Sequence, residues 1–493
     1  MPLLPRRREN LPVDQEWLNA CAKPDQNRCE GYLRYQRYYD GEHGGLLLDR
    51  TRRYLQRSGL SFCENFCEPV VDVMAERLVV TGFTLEDKGG QQTAGESDDQ
   101  QELAQWVDGV LQRNRLDAKQ RTTHSTALVK GDAWLVVDFD NTRRLPRFTF
   151  NAPDKIKACY SPDEPDSLEW VAKRWNSRAT SQALNPDAKP IVRLNMYYPD
   201  RLEKYFKVAS DGTDDGQWER WQDEGDGSWP VKWVDKAGAP LGIPLFHFRH
   251  KPLGNKHGRS EIHGTIPQQD ELNKQIIDLN DILDYQAWPT RWVSGVTGDT
   301  DTLKANPGDY LKFSNENAKA GQFDAADLNQ VVATIDATIA RIAHRSRTPH
   351  HLLVGGRFPS GDALTADESG LIAKVEASQV DFGQAWEDAM MLAVRLADQQ
   401  GVLPVSLSIP DLVVQAQWKT AATRDELVEA QRLLILQQLG VSQRTILTEA
   451  GYDPDQEEEN RGMEQAALNE AAGQLLDAGA AAGSSYAGTA VSA

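Results

Sequence analysis

GRSEIHGTIPQQDELNKQIIDLNDILDYQAWP, residues 258–289, opens as a glycine-containing loop, becomes one long amphipathic helix and stops at Pro289. Pro267 falls where a helix favours proline, in its first turn. Leu272, Ile276, Leu279 and Leu283 are spaced four, three and four apart, a narrow seam of the coiled-coil kind. The other faces carry Asp270, Glu271, Asp278, Asp281 and Asp284. About 22 residues of helix make a rod of about 33 Å. Short β-like pieces follow, RWVSGV and DYLKFS, on either side of an Asn306-Pro307-Gly308 turn. A second helix over 325–346 returns, with Leu328, Val331, Val332, Ile335, Ile339 and Ile342 on one face. A helix out, a small β element and a helix back form a spoke. A spoke is of little use alone and makes sense repeated around a ring.

Outward from this spoke, composition narrows the options. At 493 residues the chain can hold two to four domains with a sizeable core. Its net charge is -19, so most of its surface repels nucleic acid. That argues against ordinary DNA binding, but not against a wall that DNA slides past. Cys21, Cys29, Cys63, Cys67 and Cys159 are too few and odd in number for a disulfide framework. No apolar run approaches the roughly 20 residues of a membrane span, and MPLLPRRREN lacks the apolar core of a secretory signal.

N-terminal to the spoke, residues 32–39 alternate tyrosines with arginines. They read first as a helix end packed on the body, though the same alternation suits stacking on bases. Residues 62–82 read as one amphipathic helix through Val70, Val71, Met74 and Leu78. Helices are expected over 103–115 and 119–128. Strands are expected over 133–139, 147–150, 169–175, 191–197 and 202–208, separated by Pro/Asp turns. That order is an antiparallel meander, not an alternating βαβ pattern, so the fold class is α+β with no doubly wound nucleotide fold.

Three stretches invite a metal reading. Cys63 and Cys67 share a helix face but lack further ligands. The acidic run 211–226 resembles a calcium loop from Asp211, yet position twelve is Gln222 rather than glutamate. His247, His250, His257 and His263 cluster among prolines and glycines that read as a loop, where spacing enforces no geometry. The expectation is no metal and no cofactor. No GxxxxGK[ST] loop is present either.

C-terminal to the spoke, residues 348–364 carry Gly355-Gly356 and Pro359-Ser360-Gly361 and read as a mobile loop. A long helix over 365–400 follows, then a strand ending at Trp418 and helices over 423–439 and 442–450. The tail from 471 to 493 is Ala/Gly/Ser-rich and is expected to be disordered.

In this order, YYDGEH (38–43), ENFCEPVVDVMAERLVVTGF (64–83), GDAWLVV (131–137), GIPLFHFRHKP (242–252), GRSEIHGTIPQQDELNK (258–274) and VVQAQWKTAATRDELVEAQRLL (413–434) make the chain resemble the portal proteins of tailed double-stranded DNA bacteriophages, in the siphophage branch with many actinobacteriophage members. The resemblance implies a ring, usually a dodecamer, at one capsid vertex. Such a ring is the conduit through which DNA is packaged and ejected. It implies an αβ wing over 1–257, a first stem helix (258–288), a clip (289–324), a second stem helix (325–347), a tunnel loop (348–364), a long wing helix (365–403) and a helical crown (404–470). His350, His351 and Arg357 are then candidates to face DNA in the channel. Asp278, Asp281 and Asp284 form an acidic stem face. Arg291, Trp292 and Lys312 are candidates to meet the motor or connector. Implied partners are the terminase large subunit, the head-tail connector, the major capsid and scaffolding proteins, and double-stranded DNA read without sequence specificity. The implied place is the virion, after assembly in the host cytoplasm, with no membrane and no enzymatic activity. Another virion scaffold, such as a capsid or baseplate assembly protein, and a metal-dependent hydrolase using the histidine cluster are the competing readings.

Overall fold

A computed structural model describes residues 13–43, 64–87, 96–177, 191–208, 216–223, 227–252, 254, 257–287, 291–295, 319–322, 328–355, 361–404, 412–422, 426–450, 457, 461 and 462. Helix and sheet are mixed, as α+β requires. The chain divides into two compact units, 1–421 and 422–493.

The first unit begins with α1 (Gln15–Ala22) and α2 (Gln26–Tyr39), each started by an aspartate whose carboxylate accepts a first-turn N–H: Asp14 from Trp17 and Asp25 from Arg28. Then come α3 (Cys67–Ala75), β1 (Val80–Asp87), α4 (Glu96–Asn114) and α5 (Leu116–Lys130). The expected 62–82 helix is therefore shorter. Val79, Val80 and Thr81 are β-branched, and the chain leaves the helix to pair with β13 (Leu412–Trp418) as an antiparallel ribbon. Cys63 lies outside the described residues; Cys67 is fully buried as a small apolar group.

Strands β2 (Asp132–Asp140), β3 (Leu145–Asn151) and β10 (Leu245–Arg249) form a three-stranded antiparallel sheet with β2 in the centre. The meander holds: β4 (Ile156–Tyr160), β5 (Leu168–Ser177), β6 (Ile191–Tyr197), β7 (Arg201–Val208) and the short β8 (Glu219–Arg220) follow one another across a second sheet. The short β9 (Val231–Lys232) also pairs with β7. Trp218, beside β8, is buried against α1, where Asn19 accepts its indole N–H at 2.9 Å. Asp211 and Asp215 of the calcium-like run lie outside the described residues.

One long helix, α9 (Gly361–Gln399), runs through the main core. Leu371, Val375, Phe382, Trp386 and Met390 are buried along it, against β2, β10 and β13. His124 of α5 is sealed in this core. The Trp386 indole N–H donates to its Nε2 at 2.9 Å, and its Nδ1–H donates to the Leu78 carbonyl at 2.9 Å. Burial pushes its imidazole down to about 4, against the Leu78 bond, from an unfolded value near 6.5. A depressed base is protonated in the unfolded chain first, so this contribution is complete above pH 6.5 and is lost as pH falls towards 4. The full loss is about 3 kcal/mol. We expect the urea midpoint to fall between pH 7 and pH 4.5, and His124→Gln to flatten that dependence.

No described helix is long and apolar enough to cross a membrane. The second unit contributes α10 (Glu426–Gln438) and α11 (Gln443–Ala450), whose Ser442 hydroxyl accepts the Thr445 N–H at 3.2 Å. Strand β13, which the resemblance counts with the crown, lies in the first unit through its pairing with β1. Except for residue 457 and residues 461 and 462, everything beyond 450 lies outside the described residues, the 471–493 tail included.

Candidate functional site: a helix pair, its strand-tipped end and its base

The spoke is present. Helix α6 (Ile266–Ala287) leaves the body and α7 (Leu328–Ser346) packs along it. Near the body the seam is dry: Leu272 and Ile342 are fully buried, Ile339 is buried, and Ile276 and Ile335 pack against them. Each such side chain contributes about 1.5–3 kcal/mol by leaving water. Thr338 donates its hydroxyl to Gln275 Oε1 at 2.9 Å. Arg341 pairs with Glu271 at 3.2 Å, in solvent, where the bond is worth little. Further out the seam opens: Leu283 is 43 % exposed and Val332 45 %. A pair of helices therefore leaves apolar surface uncovered towards its far end. Of the acidic face, Asp278 is exposed and pairs with Lys274 at 3.0 Å, and Asp281 is exposed. Asp284 lies within α6, but its side chain is outside the described residues.

At the far end β11 (Arg291–Ser294) and β12 (Lys319–Gln322) form an antiparallel ribbon. Trp292 faces Gly321 across it and is 40 % exposed. A Cβ at Gly321 would lie 2.8 Å from the indole, so glycine is what lets the ring lie across the partner strand. The residues joining the two strands, Lys312 among them, lie outside the described residues, as does the Arg291 side chain.

At the body end the expected loop 348–364 is partly helical. Residues His350–Val354 form a short helix, α8, bounded by Pro349 and by Gly355 at φ +70. Leu352 and Leu353 pack on the core, and α9 begins at Gly361 rather than Thr365. Proline and glycine here punctuate helices; they do not dissolve the whole segment. His350 is exposed. The His351 ring is nearly buried, with Nδ1 3.3 Å from Asp367 and Nε2 3.9 Å from Glu368. Arg357 lies outside the described residues.

Beneath the pair sits a buried ionic node that no pattern in the sequence announces. Lys374 of α9 donates to Glu261 Oε1 and to the Ser346 carbonyl, each at 2.7 Å. Glu261, in the 3-10 turn Glu261–Gly264 leading into α6, also accepts from His250 Nε2 at 2.9 Å and from Lys251. Burial raises the Glu261 carboxyl, but the His250 bond and the Lys374 and Lys251 charges outweigh it and hold it well below the usual carboxylate range. One lysine thus ties the entry of α6 to the end of α7.

The four candidate histidines do not form one cluster. His247 lies in β10, not in a loop, because Leu245, Phe246 and Phe248 make that stretch a strand. His250 belongs to the node, and the His263 ring takes the Tyr35 hydroxyl at 2.7 Å on Nδ1. Only His247 and His257 meet, around Asp132, with ligand atoms within 4.8 Å of one another. The donor set does not fit a divalent ion. Asp132 accepts from Arg28 (2.5 Å) and Tyr32 (2.6 Å) on one oxygen, and from His247 Nε2 (2.9 Å) and the Gly258 N–H (2.7 Å) on the other. The Tyr160 hydroxyl donates to His247 Nδ1 at 2.5 Å, which fixes the tautomer whose Nε2 carries the proton. A cation would have to displace a guanidinium and strip a carboxylate of four donors; His257 Nδ1, 3.7 Å away and without a hydrogen bond among the described residues, cannot compensate alone. A tight site would add about 2.7 kcal/mol at a hundredfold excess of metal over Kd. We expect Zn²⁺ or Mn²⁺ to leave the melting midpoint unchanged.

Tyr32, Tyr35, Tyr38 and Tyr39 are likewise spent on the body, bonded to Asp132, His263, Asp270 and Asp72. They are not a base-stacking platform. Among the described residues, the helix pair and its strand-tipped end leave Leu283, Trp292 and Val332 exposed.

Residues 18–471 match the model of the family described as phage portal protein, SPP1 Gp6-like. The chain belongs to that portal family. Among curated relatives, this portal chain is 25 % identical over 379 residues to the portal protein of Mycobacterium phage L5, covering 72 % of this chain and 68 % of that one. It is 26 % identical over 374 residues to the portal protein of Mycobacterium phage D29, with the same coverage of each. The resemblance read from the six ordered stretches is thereby borne out, actinobacteriophage relatives included. A portal protein is a structural virion component that serves DNA packaging at the capsid vertex, and the hydrolase reading loses its site in the Asp132 network.

Proposed function

We propose that this portal chain assembles as a closed ring, a dodecamer, whose helix pairs line the channel through which double-stranded DNA is packaged and ejected. The carrying observation is the match over residues 18–471 together with a free-standing helix pair that leaves Leu283 and Val332 uncovered. Neighbouring copies would cover them. In this reading α6 and α7 are the stem, with Asp278, Asp281 and Asp284 as an acidic face along α6. The β11–β12 ribbon is the clip, with Arg291, Trp292 and Lys312 as candidates to meet the terminase large subunit and then the head-tail connector. In the tunnel segment His350 and Arg357 are the stronger DNA-facing candidates, since His351 is turned onto Asp367. The wing holds the two larger sheets and α9. The crown is the second unit, where Leu434 (56 %) and Ile435 (55 %) on α10 and Leu439 (74 %) just after it are exposed and suited to contacts between copies. Major capsid and scaffolding proteins are the remaining partners, and assembly takes place in the host cytoplasm before the ring enters the virion.

The test is genetic. A phage lacking this gene is expected to make heads without packaged DNA, and the gene supplied from a plasmid to restore them. DNA-filled heads in the deletion would contradict the reading.

A further inference from the structure

At the base of the spoke, three exposed arginines converge on His263. Arg34 comes from α2, Arg259 from the loop before the 3-10 turn, and Arg345 from the last turn of α7. The Nε of Arg345 lies 3.2 Å from where a Cβ on Gly264 would stand, so it lies against the turn that carries His263. The His263 ring is held by Tyr35, whose hydroxyl is 2.7 Å away and whose ring meets it edge-on at 6.0 Å. After burial, the charges of Arg259, Arg34 and Arg345 lower the His263 imidazole. None of the three arginines makes an ion pair among the described residues. Arg34 lies over the Tyr38 ring at 5.8 Å, and the acid near it, Asp270, already accepts from the Tyr38 hydroxyl at 2.7 Å. In a chain with 73 acidic and 54 basic residues, three unpaired arginines together are unusual. Leu33, next to Arg34 in the chain, is 61 % exposed.

We infer that the Arg34–Arg259–Arg345 patch docks on the acidic α6 face, Asp278 and Asp281, of a second copy of this chain. The inference rests on the ring reading and names a contact that builds the ring. A closed ring uses head-to-tail interfaces, so one chain must carry two different, complementary surfaces. This chain carries both: a cationic patch at the base of the spoke and an acidic face along it. Like-charged copies of net charge -19 repel one another, so their contacts need local complementarity to set register. Arginine matches carboxylates in a planar, bidentate way. Two observations favour a protein partner over a DNA backbone. Arginine is among the side chains enriched in protein–protein interfaces. A phosphate-gripping patch repeated around a ring would also hold the DNA that the channel must let slide.

The test uses the purified full-length chain and measures oligomer mass by analytical ultracentrifugation against protein concentration. The midpoint is read at about 0.1 M salt and again at about 1 M, where the screening length contracts from about 10 Å to about 3 Å and differences that rest on charge should shrink. The double variant Arg34→Glu with Arg345→Glu is expected to raise that midpoint by about tenfold or more, since like charges across an interface are strongly unfavourable. Adding Asp278→Arg and Asp281→Arg is expected to recover assembly. The milder pair Arg34→Gln with Arg345→Gln, checked by circular dichroism, separates lost docking from lost folding: a folded chain with weaker assembly supports the inference. Charge-reversed rings that assemble as wild type would overturn it, as would lost assembly that the α6 changes do not recover. Intact rings that retain less DNA would reassign the patch to phosphate. A wild-type chain that forms no ring at any salt would remove the ring reading itself along with the contact.

Discussion

Lys374→Met is expected to destabilise the protein by about 3–5 kcal/mol, the usual cost of removing one partner from a buried ion pair. The Lys374 side chain is 5 % exposed and that of Glu261 2 %. Burial lowers the Lys374 ammonium and Glu261 holds it up in part. Methionine fills the space but offers no donor. The Ser346 carbonyl at the end of α7 then loses its partner, and Glu261 is left with His250 and Lys251. The lost bonds are those that join both ends of the spoke to α9, so the spoke should loosen before the sheets do. Chemical denaturation measures the total, and hydrogen exchange at 261–272 and 338–348 locates it. Lys274→Met is the control. Its pair with Asp278 is solvent-exposed, and a change within about 0.5 kcal/mol is expected. Equal effects from the two lysines would show that the node does not hold the spoke.

Asp132→Ala should cost a similar amount, about 3–5 kcal/mol, for a related reason. The substitution strands Arg28, Tyr32, His247 and the Gly258 N–H, drawn from α2, β10 and the loop that opens the spoke. Burial raises the Asp132 carboxyl, but the His247 and His257 rings and Arg28 hold it well below the usual range. A depressed acid contributes above its unfolded value, and the contribution is lost as pH falls below about 3.8. Asp132→Asn keeps the shape and part of the bonding, so it should fall between wild type and alanine. The same loop depends on a close crossing: a Cβ at Gly258 would lie 2.0 Å from the Gly131 carbonyl oxygen, so Gly258→Ala cannot be accommodated without moving the backbone.

Much of this was legible in the sequence, and what was not has physical reasons. The two spoke helices were readable because their apolar spacing is long and regular and Pro267 marks a start. The meander was readable from alternation and turns. The helix expected over 62–82 ran too far because Leu78, Val79 and Val80 continue its apolar pattern while their partner strand lies more than 300 positions away, in β13. Residues 348–364 looked like a loop because glycines and prolines flank a helix of only five residues. The node and the Asp132 network were invisible for a deeper reason. Glu261, Lys374, His250, Arg28 and Asp132 are ordinary charged residues in the chain, and only the fold brings them together. The histidine spacing pointed at a cluster and the fold split it three ways. Identity was carried by several ordered stretches and not by any catalytic or binding motif.

The most direct measurement is an electron cryo-microscopy reconstruction of the purified oligomer, viewed along its symmetry axis. We expect a closed ring with an open channel wide enough for duplex DNA, α6 and α7 of every copy standing around it and Leu283 and Val332 covered by neighbours. A compact assembly with no central opening, or one in which the helix pair points away from the axis, would contradict it.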